Sequence, residues 1–183
     1  MPERIIRIVD SVPCIESNAW RFVRDAQHWD ELRPAAAAAR RAPAEGLLLP
    51  LEAALAHAGD RPQDDSGALG VWLGPADDPE RVAPLLARAR IVGVHFPKFT
   101  DGRGYSTAVL LRTRLGWRGE LRALGDVLQD QLFALRRVGF DSFALREDRD
   151  PVAALRGFSS FSGTYQGSVD QPLPAYRRAG VAA

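Results

Sequence analysis

The stretch from His95 to Phe143 carries the densest set of residues able to do chemistry. Lys98, Asp101, Arg103, Gly104, Tyr105 and Ser106 follow one apolar run, and Arg122, Asp126, Asp130 and Gln131 lie within and beyond the next. Cations beside backbone that glycines leave free to turn sharply suit a small oxyanion or a phosphate-bearing ligand. Amide hydrogens and the positive end of a following helix would add to their charge. Lys98 and Arg103 would then neutralise charge, amides near Gly104 would grip oxygen atoms, and Asp126 or Asp130 would orient the arginines. Asp101-Gly102-Arg103-Gly104 is neither a P-loop nor a GxGxxG fingerprint, and a turn with a capped helix and locally paired cations explains it more readily. Asp130 and Gln131 lie beside an apolar helical stripe and need partners such as Arg122 or Arg103, which scaffolding alone would also require.

Other chemistries find less footing. Ser106 lacks the GxSxG elbow, and His28, His57 and His95 have no triad spacing. His95, inside a strand-like run, reads as a core residue rather than a base. No HxH, HExxH or cysteine cluster exists, and Asp64-Asp65 and Asp77-Asp78 read as solvated turns. Cys14 is the only cysteine, which excludes an intramolecular disulfide, a four-cysteine iron–sulfur site and a CxxC pair. The sequence thus shows no metal, haem or iron–sulfur site and leaves any cofactor unknown. The arginines around Trp117 read as helix-end cations rather than a nucleic-acid patch.

These residues need a scaffold, and 183 residues with 46% hydrophobic and 26% charged side chains suffice for one domain with a packed core. A formal net charge of +1 argues against a polyanion-binding surface, hence against nucleic acid. The chain opens without a leader-like segment, and no window approaches the roughly 20 apolar residues of a membrane span. A cytoplasmic protein with no membrane contact is expected.

Residues 1–44 read as an N-terminal β segment and helical connector: Arg4 to Val9 and Ala19 to Val23 as a hairpin, then an alanine tract bracketed by Pro34 and Pro43. Residues 45–158 alternate strand and helix. Strands are expected near Leu47 to Pro50, Ala68 to Gly74, Arg90 to Phe96, Gly119 to Leu124 and Phe140 to Leu145. Helices are expected from Leu51, after Asp78-Pro79 with Pro84 shortening it, over Tyr105 to Leu115, over Asp126 to Val138, and from Asp150-Pro151. Gly116 and Gly139 stand where helix C-caps want a left-handed residue. Residues 159–183 read as an extended arm, laid on its own domain or on a partner. The alternation implies a single α/β domain with a parallel sheet, open or half-barrel-like, with its crevice at the strands' carboxyl ends.

The block FPKFTDGRGYSTAVLLRTRLGWRGELRALGDVLQDQLFALRRVGFDSF closely resembles the core of a bacterial family, domain of unknown function 934, and the β segment ending in Trp20 looks similar. Lys98, Asp101, Gly102, Arg103, Gly104, Tyr105, Ser106, Arg122, Gly125 and Asp126 stand where that motif has them. So do Asp130, Gln131, Gly139, Phe140, Asp141 and Phe143. The resemblance implies genes beside the sirohaem-dependent sulfite reductase and a loose label of probable oxidoreductase, with no agreed mechanism. It implies an accessory or ligand-binding protein of assimilatory sulfite reduction, contacting the reductase haemoprotein or binding a small anion. The alternatives are a small oxidoreductase-type enzyme using the same crevice, and an oligomeric scaffold.

Overall fold

The computed structural model describes residues 1–25, 27–29, 31, 46–59 and 69–178. The expected alanine-tract connector and the Asp64-Asp65 turn lie outside the described residues. One mixed sheet of eight strands runs in the order β2-β1-β8-β7-β6-β5-β4-β3. The strands are β1 (Arg4–Val9), β2 (Val12–Ser17), β3 (Trp20–Phe22), β4 (Gly46–Pro50), β5 (Leu69–Leu73), β6 (Ala89–Phe96), β7 (Glu120–Gly125) and β8 (Ser142–Phe143). From β3 to β8 every pairing is parallel, as the strand–helix alternation predicts, while β1 pairs antiparallel with both β8 and β2.

The helices are short: α1 (Leu51–Gly59), α2 (Ala83–Leu86), α3 (Arg103–Val109), α4 (Leu132–Arg137), α5 (Pro151–Ala154) and α6 (Ala175–Arg178). Asp78 and Asp150 cap their helical segments as the Asp-Pro pairs predict, and α2 holds only four residues with Pro84 inside it. Gly116 and Gly139 take positive φ at 66° and 106°.

Two expectations are corrected. The hairpin partner of β1 is β2, reached through a tight turn at Asp10-Ser11 with φ of 48° and 68°, whereas Trp20–Phe22 lies at the far edge beside β4. The polar Val12–Ser17 segment reads as a turn in sequence because its hydrophobic alternation is weak, so the backbone pairing decides. The helix expected from Asp126 begins with a 3₁₀ turn at Gln129–Gln131, because the Asp126 amide donates instead to Phe96 O at 2.8 Å.

The strand order also fixes the shape. β2 and β3 are the two edges, yet only Asn18 and Ala19 separate them in the chain. A flat sheet would hold its edges roughly 34 Å apart at about 4.8 Å per strand, while the three steps from Ser17 to Trp20 reach at most about 11 Å. The sheet therefore curls until its edges meet, as a half-barrel. Asn18 N donates to Glu3 O at 2.8 Å on one side, and Ala19 O accepts from Gly46 N at 2.8 Å on the other.

Strand alternation sorts the core into two faces. The outer one packs Val71, Val92, Val94 and Leu121 against helix residues such as Ala54, Leu85, Leu111 and Leu135. The inner one holds Ile5, Leu48, Ile91, Leu124 and Ala144 with the rings of Trp20, Phe22 and Trp72. Glycines make room for those rings. A Cβ on Gly70 would lie 2.8 Å from Trp20 Cζ3, and Gly46 is crowded by the same indole, while one on Gly93, in register between Trp72 and Arg122, would lie 2.6 Å from Leu124 Cδ2.

Candidate functional site

The residues expected to form one crevice separate into two places and a strut. Arg122 is the strut. It sits inside β7 facing the hollow, 1% exposed, and does not join the others. Its Nε donates to Ser142 Oγ at 2.9 Å and to Glu120 Oε1 at 3.0 Å, and an NH1 hydrogen goes to Asn18 Oδ1 at 2.8 Å. Burial depresses its pKa against the pull of Glu120. The expectation that Arg122 joins the crevice is corrected, because Glu120, Ser142 and Asn18 hold its guanidinium inside the hollow.

The first place is the loop between β6 and α3. Asp101 closes on Arg103 through two bonds, Nε to Oδ1 at 3.0 Å and NH2 to Oδ2 at 2.6 Å, and this bonding holds the Asp101 carboxyl below its ordinary range. Arg103 is thereby matched locally. Lys98 is exposed, and its ammonium has no hydrogen-bond or ion-pair partner among the described residues, although its carbonyl accepts from Asp101 N at 2.9 Å. Gly104 is buried because Phe96 lies over it, with a Cβ there only 2.5 Å from Phe96 Cζ. Ser106 and Asp130 are exposed.

Asp126, Gln131 and Tyr105 do come together, around the backbone of Phe99. Asp126 Oδ2 accepts from Phe99 N at 2.9 Å, and Gln131 Nε2 donates to Phe99 O at 3.0 Å. Burial pushes the Tyr105 hydroxyl up, partly offset by a hydrogen bond with Gln131. The other Asp126 oxygen accepts from Arg146 NH1 at 3.0 Å, so the loop is tied to the segment after β8.

The second place is the mouth of the half-barrel, at the carboxyl ends of the parallel strands. A cavity of about 450 Å³ opens there, within the size range of small-molecule sites. Its wall is largely apolar, from Pro2, Phe22, Leu124, Gly125, Ala144 and Leu145, and its polar groups are the Met1 amine, His95, Arg146, Glu147 and Asp148. His95 and Leu124 are register partners on β6 and β7. Gly125, with φ of 98°, turns the chain away beneath the imidazole, where a Cβ would lie 3.0 Å from His95 Nε2. The ring packs on Phe22 at 5.9 Å and Trp72 at 5.5 Å between centroids, and burial pushes its pKa below the ordinary histidine value. Neither ring nitrogen is hydrogen-bonded to a described residue.

At the rim, Arg146 donates from Nε and NH2 to the two oxygens of Asp148, at 2.7 and 3.0 Å, besides its bond to Asp126. Sequence reasoning placed His95 in the core and named neither Phe22 nor Arg146. The available signal was parity: His95 follows Ile91 and Gly93 at two-residue steps, on the inner face and next to the strand's last residue. Phe22 and Arg146 depend on the curl, which brings distant chain segments together.

The family described as "Bacterial protein of unknown function (DUF934)" matches residues 70–176, more than half of the sequence. The chain belongs to that family. The family match spans β5 to the end of α4 and onward, and so takes in His95, the Phe99 clamp and Arg146, while Phe22 lies outside it. No curated protein and no solved structure matches the chain. Among the described residues no group of three or more histidine, cysteine or acidic side chains could hold a metal ion, and no helix is long and apolar enough to cross a membrane.

Proposed function

We propose that this protein binds a small molecule in the mouth of its half-barrel and serves sulfite reduction as an accessory of the sulfite reductase haemoprotein. The observation supporting the site is the cavity of about 450 Å³ at the strands' carboxyl ends, into which His95 brings hydrogen-bonding atoms with no partner among the described residues. Loops at that edge of parallel sheets collect functional residues. The link to sulfite reduction rests on the family resemblance alone. Calorimetry of the purified chain against the reductase haemoprotein, with and without sulfite, tests it. Micromolar or tighter binding supports the accessory role, and no heat under either condition rejects it.

A second reading keeps a small oxyanion at the loop, supported by the exposed Lys98 ammonium, which has no partner among the described residues. Sulfite-dependent thermal stabilisation that disappears in Lys98→Ala would support it. A response unchanged in both Lys98→Ala and Arg103→Ala would reject it.

A further inference from the structure

We infer that the mouth accepts a flat, uncharged ring compound carrying a hydrogen-bond donor for the His95 imidazole, and that it discriminates against oxyanions. This rests on reading the mouth as the ligand site.

Shape comes first. Phe22 and His95 both line the cavity, and their rings lie within 25° of parallel, backed by Trp72, whose centroid is 5.1 Å from that of Phe22. Such a surface stacks another planar ring better than it packs a branched aliphatic one. The indole behind is fixed in place, its Nε1 donating to Val23 O at 2.8 Å.

Charge comes second. Arg146 already serves two carboxylates, Asp126 and Asp148, and Arg149 Nε stands 3.5 Å from Asp148 Oδ2. Glu147 lies 3.2 Å from the Met1 amine. Every rim cation is matched, so an entering oxyanion would be a third negative group on one guanidinium. The wall beneath offers it mainly apolar surface and an imidazole whose protonation burial disfavours. A neutral imidazole, in contrast, has one nitrogen that accepts, and here the ligand is what would satisfy it.

An isosteric pair of probes separates these terms: indole-3-carboxamide, uncharged, and indole-3-carboxylate, an anion of the same shape. Titrations at pH 7.5 are followed by NMR shifts of the His95 ring protons and the Gly125 amide. The carboxamide is expected to shift both signals, with the carboxylate at least about tenfold weaker, since 1.4 kcal/mol of charge discrimination suffices for that ratio. His95→Phe, which keeps the stacking ring and removes the acceptor, is expected to weaken the carboxamide by a similar factor. Equal binding of the two probes at the mouth would overturn the charge selection while leaving the site in place. Unchanged carboxamide affinity in His95→Phe would overturn the role of the imidazole. If neither probe shifts these signals, the mouth fails as a ligand site and this inference falls with it.

Discussion

Arg122 NH1 donates to Asn18 Oδ1 at 2.8 Å across the hollow of the sheet, joining residues 104 positions apart in sequence. Asn18 sits where the two sheet edges meet, and its Oδ1 also accepts from Trp20 N while its Nδ2 donates to Pro2 O. The guanidinium therefore braces the seam from the opposite wall.

Arg122→Met keeps the side chain's apolar bulk but leaves Glu120, whose side chain is only 10% exposed, as an unpaired charge. A loss of about 3–5 kcal/mol is expected, the usual cost of breaking a buried pair from one side. Asn18→Ala removes a neutral partner and should cost about 1–3 kcal/mol. The double variant should fall short of the sum, because both remove the same bond. Urea unfolding of the four proteins measures this, and additive losses would show that the strut does not act through Asn18.

Gly125 has φ of 98°, and a Cβ there would run into the carbonyl oxygen of Phe96 and crowd His95. Gly125→Ala should lower stability by about 1–3 kcal/mol through backbone strain. Gly102 is the control: its φ is −82° and nothing lies within 4 Å of an added Cβ, so Gly102→Ala should be neutral or mildly stabilising. Thermal unfolding compares them directly, and equal effects would contradict this account of the mouth.

Much of the architecture is legible in the sequence because it is local. The Asp-Pro starts, the glycine stops at Gly116 and Gly139 and the apolar run of β6 each act within a few residues. The curl is not local. It depends on Asn18 and Ala19 joining the two outermost strands, and nothing in the residue pattern announces which strand Trp20–Phe22 will join. The candidate site divides along the same line. Lys98 to Gln131 is contiguous enough to be picked out by residue type, and the Phe99 clamp of Asp126 and Gln131 lies within it. The mouth gathers Phe22, His95 and Arg146 from three separate segments, so it emerges only once the sheet has closed.

The pH dependence of stability reports on His95. Burial holds its folded pKa below the unfolded value of about 6.5, so the unfolded chain binds more protons between the two. Its contribution is fully present above pH 6.5 and is lost as pH falls through the folded pKa. The charged groups of the residues lining the same cavity are the Met1 amine, Arg146, Glu147 and Asp148, and Arg146 bonding holds Asp148 below its ordinary range, so that carboxylate titrates at more acid pH. His95→Phe should flatten the slope of stability against pH in the range just below the unfolded value of about 6.5. A slope unchanged in this variant would assign the titration to another group.

Asp126 links the two candidate places, accepting from Phe99 N in the loop and from Arg146 NH1 at the rim. Asp126→Asn keeps the shape, but the amide presents one acceptor oxygen where the carboxylate presents two. One bond must fail. If the amide oxygen keeps Phe99, its nitrogen meets the guanidinium as donor against donor, and Arg146 is left to Asp148 alone. If it turns to Arg146, the Phe99 amide loses its acceptor and exchanges faster. Hydrogen exchange at Phe99 N distinguishes the two, with about tenfold faster exchange expected for the second, equivalent to about 1.4 kcal/mol of lost protection. In the first case the indole probes should report the change, because an Arg146 released from one carboxylate is a better anion partner and the carboxylate probe should gain affinity. Neither change would mean that Asp126 does not couple the loop to the mouth.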